Sequence, residues 1–158
     1  MKYIYLDFDG VLNPWPYTPG ANLDYDFDRH LRYGPYAVRV STAMIDDLVK
    51  VAAESGAQIV WCSTWCLVPE DTAWLRANVL DVPALPLRKR MSSYGNHFKW
   101  DGQEAHYLEH GDGDRFVWID DEALPYEEDR GVAGLYLAPE GDVGLTKEHM
   151  KQIKEWLK

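Results

Sequence analysis

Several things are scarce in this sequence, and each scarcity removes a class of function. No stretch approaches the ~18 consecutive apolar residues that cross a bilayer, so no membrane partner is expected. The run ahead of Asp7, Met1 to Leu6, is too short for the apolar core of a secretory leader, and the expected compartment is the cytoplasm. Basic residues are few: 16 Lys+Arg stand against 26 Asp+Glu, a formal net charge of -10. Such a chain repels a nucleic-acid backbone on average, which disfavours general nucleic-acid binding but leaves room for a local basic groove. Cysteine is limited to Cys62 and Cys66, which lack His or Cys partners at zinc-ligand spacing. A cysteine phosphatase needs an Arg shortly after its thiol, and the residues from Leu67 to Asp71 contain none. Cys62 therefore reads as a buried strand residue. The histidines are scattered, with no pair at metal spacing beside carboxylates. Repeats, linkers and low-complexity segments are also missing, and 158 residues fit one domain spanning 1–158.

What is present is an alternation of short apolar runs and amphipathic stretches. Tyr3 to Leu6 is an apolar and aromatic run that stops at Asp7 and reads as a buried strand. Residues 13–39 are rich in Tyr, Trp, Asp and Pro and lack clean periodicity, as functional loops do. Ser41 or Thr42 can cap a helix to Ser55, with Ile45, Leu48, Val49 and Ala52 at helical spacing and Gly56 as its stop. Strands are expected at residues 58–62, 116–119 and 134–137, and a short Pro-containing edge strand at 82–87. Helices are expected at 70–80, at 104–110 and from a cap at Thr146 to the end. Alternating strands and helices predict an α/β fold, a Rossmann-like three-layer sandwich around a parallel sheet.

Three of these strands end in polar residues: Asp7-Phe8-Asp9-Gly10, Ser63-Thr64 and Asp120-Asp121. Ligands of open parallel sheets bind outside the carboxyl ends of the strands, so these groups converge where a site is expected. Several carboxylates that close raise one another's pKa unless a cation compensates. Hard oxygen donors in a compact set suit Mg2+, which keeps part of its shell for water or phosphate. Phosphoryl transfer is the chemistry that follows, and an Asp carboxylate can serve as its nucleophile.

Asp7-Phe8-Asp9-Gly10-Val11-Leu12-Asn13 resembles the first motif of the haloacid dehalogenase (HAD) superfamily. Ile59-Val60-Trp61-Cys62-Ser63-Thr64-Trp65 is similar to the second, Lys99 in His97-Phe98-Lys99-Trp100 to the third, and Val117-Trp118-Ile119-Asp120-Asp121-Glu122 to the fourth. The order is right and the resemblance runs from Tyr3 to the final helix. A calcium loop also carries Asp-x-Asp-Gly, but Asn13, Pro14 and Trp15 do not supply its further ligands. The resemblance implies a phosphatase in which Asp7 attacks phosphorus and Asp9 acts as general acid and base. It implies that Ser63 binds phosphoryl oxygens and that Lys99 balances charge. Asp7, Asp9 (through its carbonyl), Asp120 and Asp121 would hold Mg2+. Thr64 is an alternative to Ser63, and Lys89, in the Arg88-Lys89-Arg90 cluster, an alternative to Lys99. Gly10, Trp65 and Arg39 join Ser63 and Thr64 as candidate substrate contacts.

Family caps are inserted after the first or third motif, and residues 13–39 have room only for a flap or small hairpin. The site should be open. The flap aromatics either stack on a ring or pack the flap down, and its Arg29, His30, Arg32 and Arg39 can hold a second phosphate. The expected substrate is a small phosphorylated metabolite or nucleotide. The alternatives are a nucleic-acid end, as for a 3'-phosphatase, or a non-catalytic binding module. Sequence leaves the oligomeric state open.

Overall fold

The computed structural model describes residues 1–88, 97–111, 113–123 and 134–158, so Lys89 and Arg90 lie outside the described residues. Its elements in chain order are β1 (Lys2–Leu6), β2 (Arg29–Tyr33), β3 (Tyr36–Val40), α1 (Thr42–Ser55), β4 (Ala57–Trp61), a 3-10 turn (Thr64–Leu67), α2 (Pro69–Asn78), α3 (His97–His110), β5 (Phe116–Ile119), β6 (Gly134–Leu137) and α4 (Lys147–Trp156). The four strands other than β2 and β3 form a parallel sheet in the order β4-β1-β5-β6. After Lys2 the central strands are apolar and aromatic because both sheet faces are covered: Ile4, Tyr5, Leu6 and every residue of β5 are buried.

Alternation along β1 puts Lys2, Ile4 and Leu6 on one face and Tyr3 and Tyr5 on the other. On the first face Lys2 Nζ donates to Leu157 O at 2.6 Å, just past α4, and α4 packs on α1. On the second face Tyr3 and Tyr5 meet His106 of α3, with Tyr5 Oη 2.9 Å from His106 Nδ1. The sheet thus lies between an α1/α4 layer and α3, the expected three-layer α/β arrangement. Phe8, Phe116, Leu6 and Leu48 are fully buried, each worth about 1.5–3 kcal/mol in apolar transfer.

Local chemistry sets the helix ends. Ser41 Oγ accepts from Met44 N at the start of α1, and Gly56 closes it in the left-handed region at φ 65°. Thr146 and His149 form a reciprocal capping box at the start of α4.

Two elements differ from the sequence expectation. Helix α3 begins at His97 rather than at residue 104, so Lys99 sits on its first turn. Gly102 lies within this helix as a packing contact: a Cβ there would lie 2.3 Å from Leu87 Cδ2. Residues 82–87 form one parallel bridge rather than a full strand, with Trp61 N donating to Pro83 O and Leu85 N to Trp61 O.

Residues 13–39 contain a long loop and the β2–β3 hairpin. Tyr25 is buried and donates to Asp47 at 2.7 Å, while Phe27, Leu31 and Tyr33 pack against the core. Asn22 Nδ2 donates to the carbonyls of Val143 and Leu145. These aromatics tack the segment down, whereas Trp15 and Tyr36 stay 66% and 57% exposed. The register pairs Leu6 with both Trp61 and Ile119, so the residues after β1, β4 and β5 emerge at one sheet edge.

Candidate active site

Asp7 is the first residue after β1, and its amide still bonds in the ladder, to Ile119 O at 2.9 Å. Its carboxylate is buried. Oδ1 accepts from Phe8 N at 2.8 Å and Oδ2 from Lys99 Nζ at 3.1 Å. The same ammonium donates to Asp120 Oδ2 at 2.9 Å. Asp120 follows β5, is buried, and takes Glu122 N on its other oxygen at 2.9 Å. Asp121 lies at the exposed rim beside this pair. The carboxylates of Asp7, Asp120 and Asp121 offer oxygens that all lie within 4.8 Å of one another.

The electrostatics follow from burial. Desolvation pushes the Asp7 carboxyl up to about 7 against the pull of Lys99, with Asp120 adding to the rise. Asp121 is raised to about 6, again first by desolvation and then by Asp120. Burial pulls the Lys99 ammonium down, but Asp7 and Asp120 outweigh it and hold it well above its ordinary value. Lys99 is therefore charged and cannot serve as a base. Three carboxylates against one ammonium leave excess negative charge. A hard divalent cation fits this donor set, because three carboxylate oxygens within 4.8 Å of one another are the ligand type and closeness such an ion takes.

Asp9 does not join that cluster. Its Oδ1 accepts from Asn13 Nδ2 at 2.8 Å and its Oδ2 from the Trp65 indole N–H at 2.9 Å. The Asn13 amide orientation is fixed from the other side, because its Oδ1 accepts from Arg39 N at 2.9 Å. Both partners of Asp9 are donors, so both its oxygens act as acceptors. The turn that carries Asp9 needs Gly10: its φ is 77°, and a Cβ would sit 2.6 Å from Asp121 Oδ2.

Asp9 faces a cleft of about 350 Å³ with Asn13, Trp15, Tyr36, Thr64, Trp65 and Asp71 in its wall. Thr64 is exposed. Ser63 is buried at the end of β4, where its Oγ caps the 3-10 turn by accepting from Trp65 N at 3.3 Å. Arg39 lies elsewhere. Its guanidinium stacks on the Tyr17 ring at 4.2 Å and borders a separate shallow depression on the hairpin. Cys62 is fully buried, and desolvation holds its thiol well above the ordinary value. Asn13 and the indole N–H of Trp65 were not anticipated as partners of Asp9. Asn13 sits in the first motif, but a turn residue gives no sign of which carboxylate it will hold.

A family model described as the HAD domain in Swiss Army Knife RNA repair proteins matches residues 3–150. No curated protein and no solved structure matches the chain.

Proposed function

Because the chain belongs to the family of HAD domains in Swiss Army Knife RNA repair proteins, we propose that it is a Mg2+-dependent phosphomonoester hydrolase that acts on the phosphorylated end of a nucleic acid. The observation that carries the chemistry is the buried Lys99 held between Asp7 and Asp120, at 3.1 and 2.9 Å, with the Asp121 carboxylate beside them. Asp7, Asp120 and Asp121 would hold the ion, with the Asp9 carbonyl as a further donor. When bound, the ion supplies positive charge to the phosphoryl oxygens.

The chain's own residues carry the steps. A carboxylate oxygen of Asp7 attacks phosphorus, the bond to the leaving oxygen breaks, and Asp9 passes its proton to that oxygen. Asp9 then takes a proton from water, which attacks the aspartyl-phosphate, breaks its P–O bond and returns Asp7 as a carboxylate. Lys99 stays charged throughout and offsets the charge on Asp7 and the transferring group. Ser63 donates to the phosphoryl oxygens, and the Trp65 and Asn13 N–H groups keep Asp9 aimed.

RNA repair in the family description moves the nucleic-acid end ahead of the free metabolite as substrate. The net charge of -10 and a cleft near the size of one nucleotide favour the second reading, a mononucleotide phosphatase. Phosphate release with Mg2+ from a 3'-phosphorylated oligoribonucleotide and from a mononucleotide panel separates the two by kcat/KM. Asp7→Asn is expected to abolish release and remain folded. Release from no substrate by the metal-loaded chain with Asp7 intact would refute the hydrolase reading.

A further inference from the structure

The β2–β3 hairpin has two unlike faces. Its register pairs Arg29 with Val40, His30 with Arg39, Leu31 with Val38 and Arg32 with Ala37. Opposed residues of an antiparallel pair share a face, so Val38, Val40, Leu31 and Arg29 turn one way, and His30, Arg32, Arg39 and Ala37 turn the other. The first face packs inward, with Val38 and Val40 buried. The second faces outward, with His30, Arg32 and Ala37 exposed.

The two outward arginines are not used in folding as other cations in this chain are, whereas His30 Nε2 lies 3.0 Å from Phe27 O. Arg29, on the inner face, donates to Asn78 O. Arg76 pairs with Asp81, Lys154 with Glu54, and Lys99 with Asp7 and Asp120. Arg32 and Arg39 pair with no carboxylate among the described residues, in a chain that has 26 acidic residues to offer. Asp28, the nearest acidic residue in sequence, is turned to Thr42, bonding its N and Oγ1 at 2.8 and 2.7 Å. Arg39 stacks its guanidinium face on Tyr17 at 4.2 Å, and stacking leaves the in-plane N–H donors for another partner.

His30, Arg32 and Arg39 border a depression of about 250 Å³, and Ala37 borders both it and the cleft beside Asp9. The two recesses are thus adjacent, with complementary chemistry. The cleft offers the rings of Trp15, Tyr36 and Trp65 together with the carboxylates of Asp9 and Asp71, and no cation among the described residues. It can stack a base but cannot attract a polyanion. The hairpin face can attract a polyanion, and the phenol ring it meets is Tyr17, from the preceding loop. Aromatic platforms beside a positive groove are the combination that binds single strands.

We propose that the outer face of the β2–β3 hairpin, through Arg32, Arg39 and His30, binds the phosphodiester backbone of a single-stranded nucleic acid whose terminal nucleotide stacks in the aromatic cleft. This rests on the reading of the adjoining site as a phosphatase only for what happens at the strand's end. It gives an acidic protein a confined basic contact, so affinity is strongly salt-dependent while the rest of the surface repels the strand.

The test is fluorescence anisotropy of 5'-labelled, 3'-phosphorylated RNA and DNA oligonucleotides across a salt series, using the full chain with Asp7→Asn to prevent turnover. Each phosphate contact on a single strand contributes about 0.7 to the salt slope. Adding Arg32→Gln and Arg39→Gln is expected to make the slope shallower by about 1.4 and to weaken binding about 25-fold at 0.1 M salt, from two counterion-release factors of about fivefold each. Lys50→Gln with Lys151→Gln, exposed positions on α1 and α4, changes net charge equally and is expected to leave the slope as it was. The proposal is overturned if the arginine variant binds within about twofold with the same slope, if the lysine control loses as much, or if neither oligonucleotide binds. Comparing RNA with DNA identifies which backbone is held. Phosphate release by the unmutated chain is read separately, from the 3'-phosphorylated oligonucleotides and the mononucleotide panel: release from none of them rejects the phosphatase, while the binding data alone decide on the hairpin.

Discussion

Lys99→Met tests the charge arrangement most directly. The substitution keeps the length and apolar stem of the side chain and removes one ammonium. That ammonium contacts two carboxylates, at 2.9 and 3.1 Å, and the three side chains are only 2–5% exposed. Removing one partner of a buried ion pair leaves an uncompensated charge and costs about 3–5 kcal/mol. Total stabilities of about 5–15 kcal/mol leave the variant mostly folded. At a urea slope of about 2 kcal/mol per M, its unfolding midpoint in EDTA should fall by about 2 M. Asp120→Asn in the Lys99→Met background removes one of the stranded carboxylates and should restore much of the loss, a positive coupling in the double-mutant cycle. Added Mg2+ should recover stability more in Lys99→Met than in the parent, because it supplies the missing charge. The reasoning is refuted if Lys99→Met is within about 1 kcal/mol of the parent, or if Asp120→Asn deepens the deficit.

Three further outcomes are expected. Gly10→Ala and Gly20→Ala both place a Cβ at φ 77°, but Gly20 has nothing within 4 Å and Gly10 has Asp121 Oδ2 at 2.6 Å. Both lose about 1–2 kcal/mol for the backbone, and only Gly10→Ala is expected to lose more, together with metal affinity measured by calorimetry. Trp65→Phe keeps a ring and removes the N–H that holds Asp9 Oδ2, so kcat should drop by about 10–100-fold, the worth of a hydrogen bond to a charged group at about 1.5–3 kcal/mol; an unchanged kcat with raised KM would assign Trp65 to stacking alone. His149 is held below its ordinary pKa, first by desolvation, and its Nδ1 accepts from Thr146 N at 3.1 Å. A depressed folded pKa means stability that is present above about 6.5 and lost as pH falls through the folded value. His149→Gln, which can cap but not titrate, should show a flatter thermal stability between pH 7 and 5 than the parent, and parallel curves would reject the assignment.

Much of the site was readable because buried strands stop abruptly at carboxylates. The Ile4 to Leu6 run ends at Asp7 and Phe116–Ile119 at Asp120, and a parallel sheet brings such ends together whatever lies between them. Lys99 could be placed by order, but its helix could not. Gly102 argues against a helix there, and its reason, the close approach of Leu87, is a tertiary contact. Strand β2 reads Arg-His-Leu-Arg-Tyr, too polar for a core strand, and only pairing with β3 reveals that alternate residues form a basic face. Arg39 was grouped with the phosphate contacts from its position in the flap. The structure stacks its guanidinium on Tyr17, on that face, where it borders the hairpin depression rather than the cleft beside Asp9. Trp65 reads from sequence as a candidate substrate contact, and the indole N–H reaching Asp9 is a matter of rotamer, which no sequence pattern encodes.

The Asn13 amide has two clients. One end donates to the Asp9 carboxylate and the other accepts from the main chain of Arg39 on the hairpin. A ligand that levers the hairpin outward would pull on the same side chain that holds the Asp9 carboxylate. If the hairpin holds a strand as proposed, misfit on the outside of the molecule would reach the Asp9 carboxylate through Asn13, and an ill-matched strand would lose rate as well as affinity. Such coupling would need only one amide shared between the β2–β3 hairpin and the turn that carries Asp9.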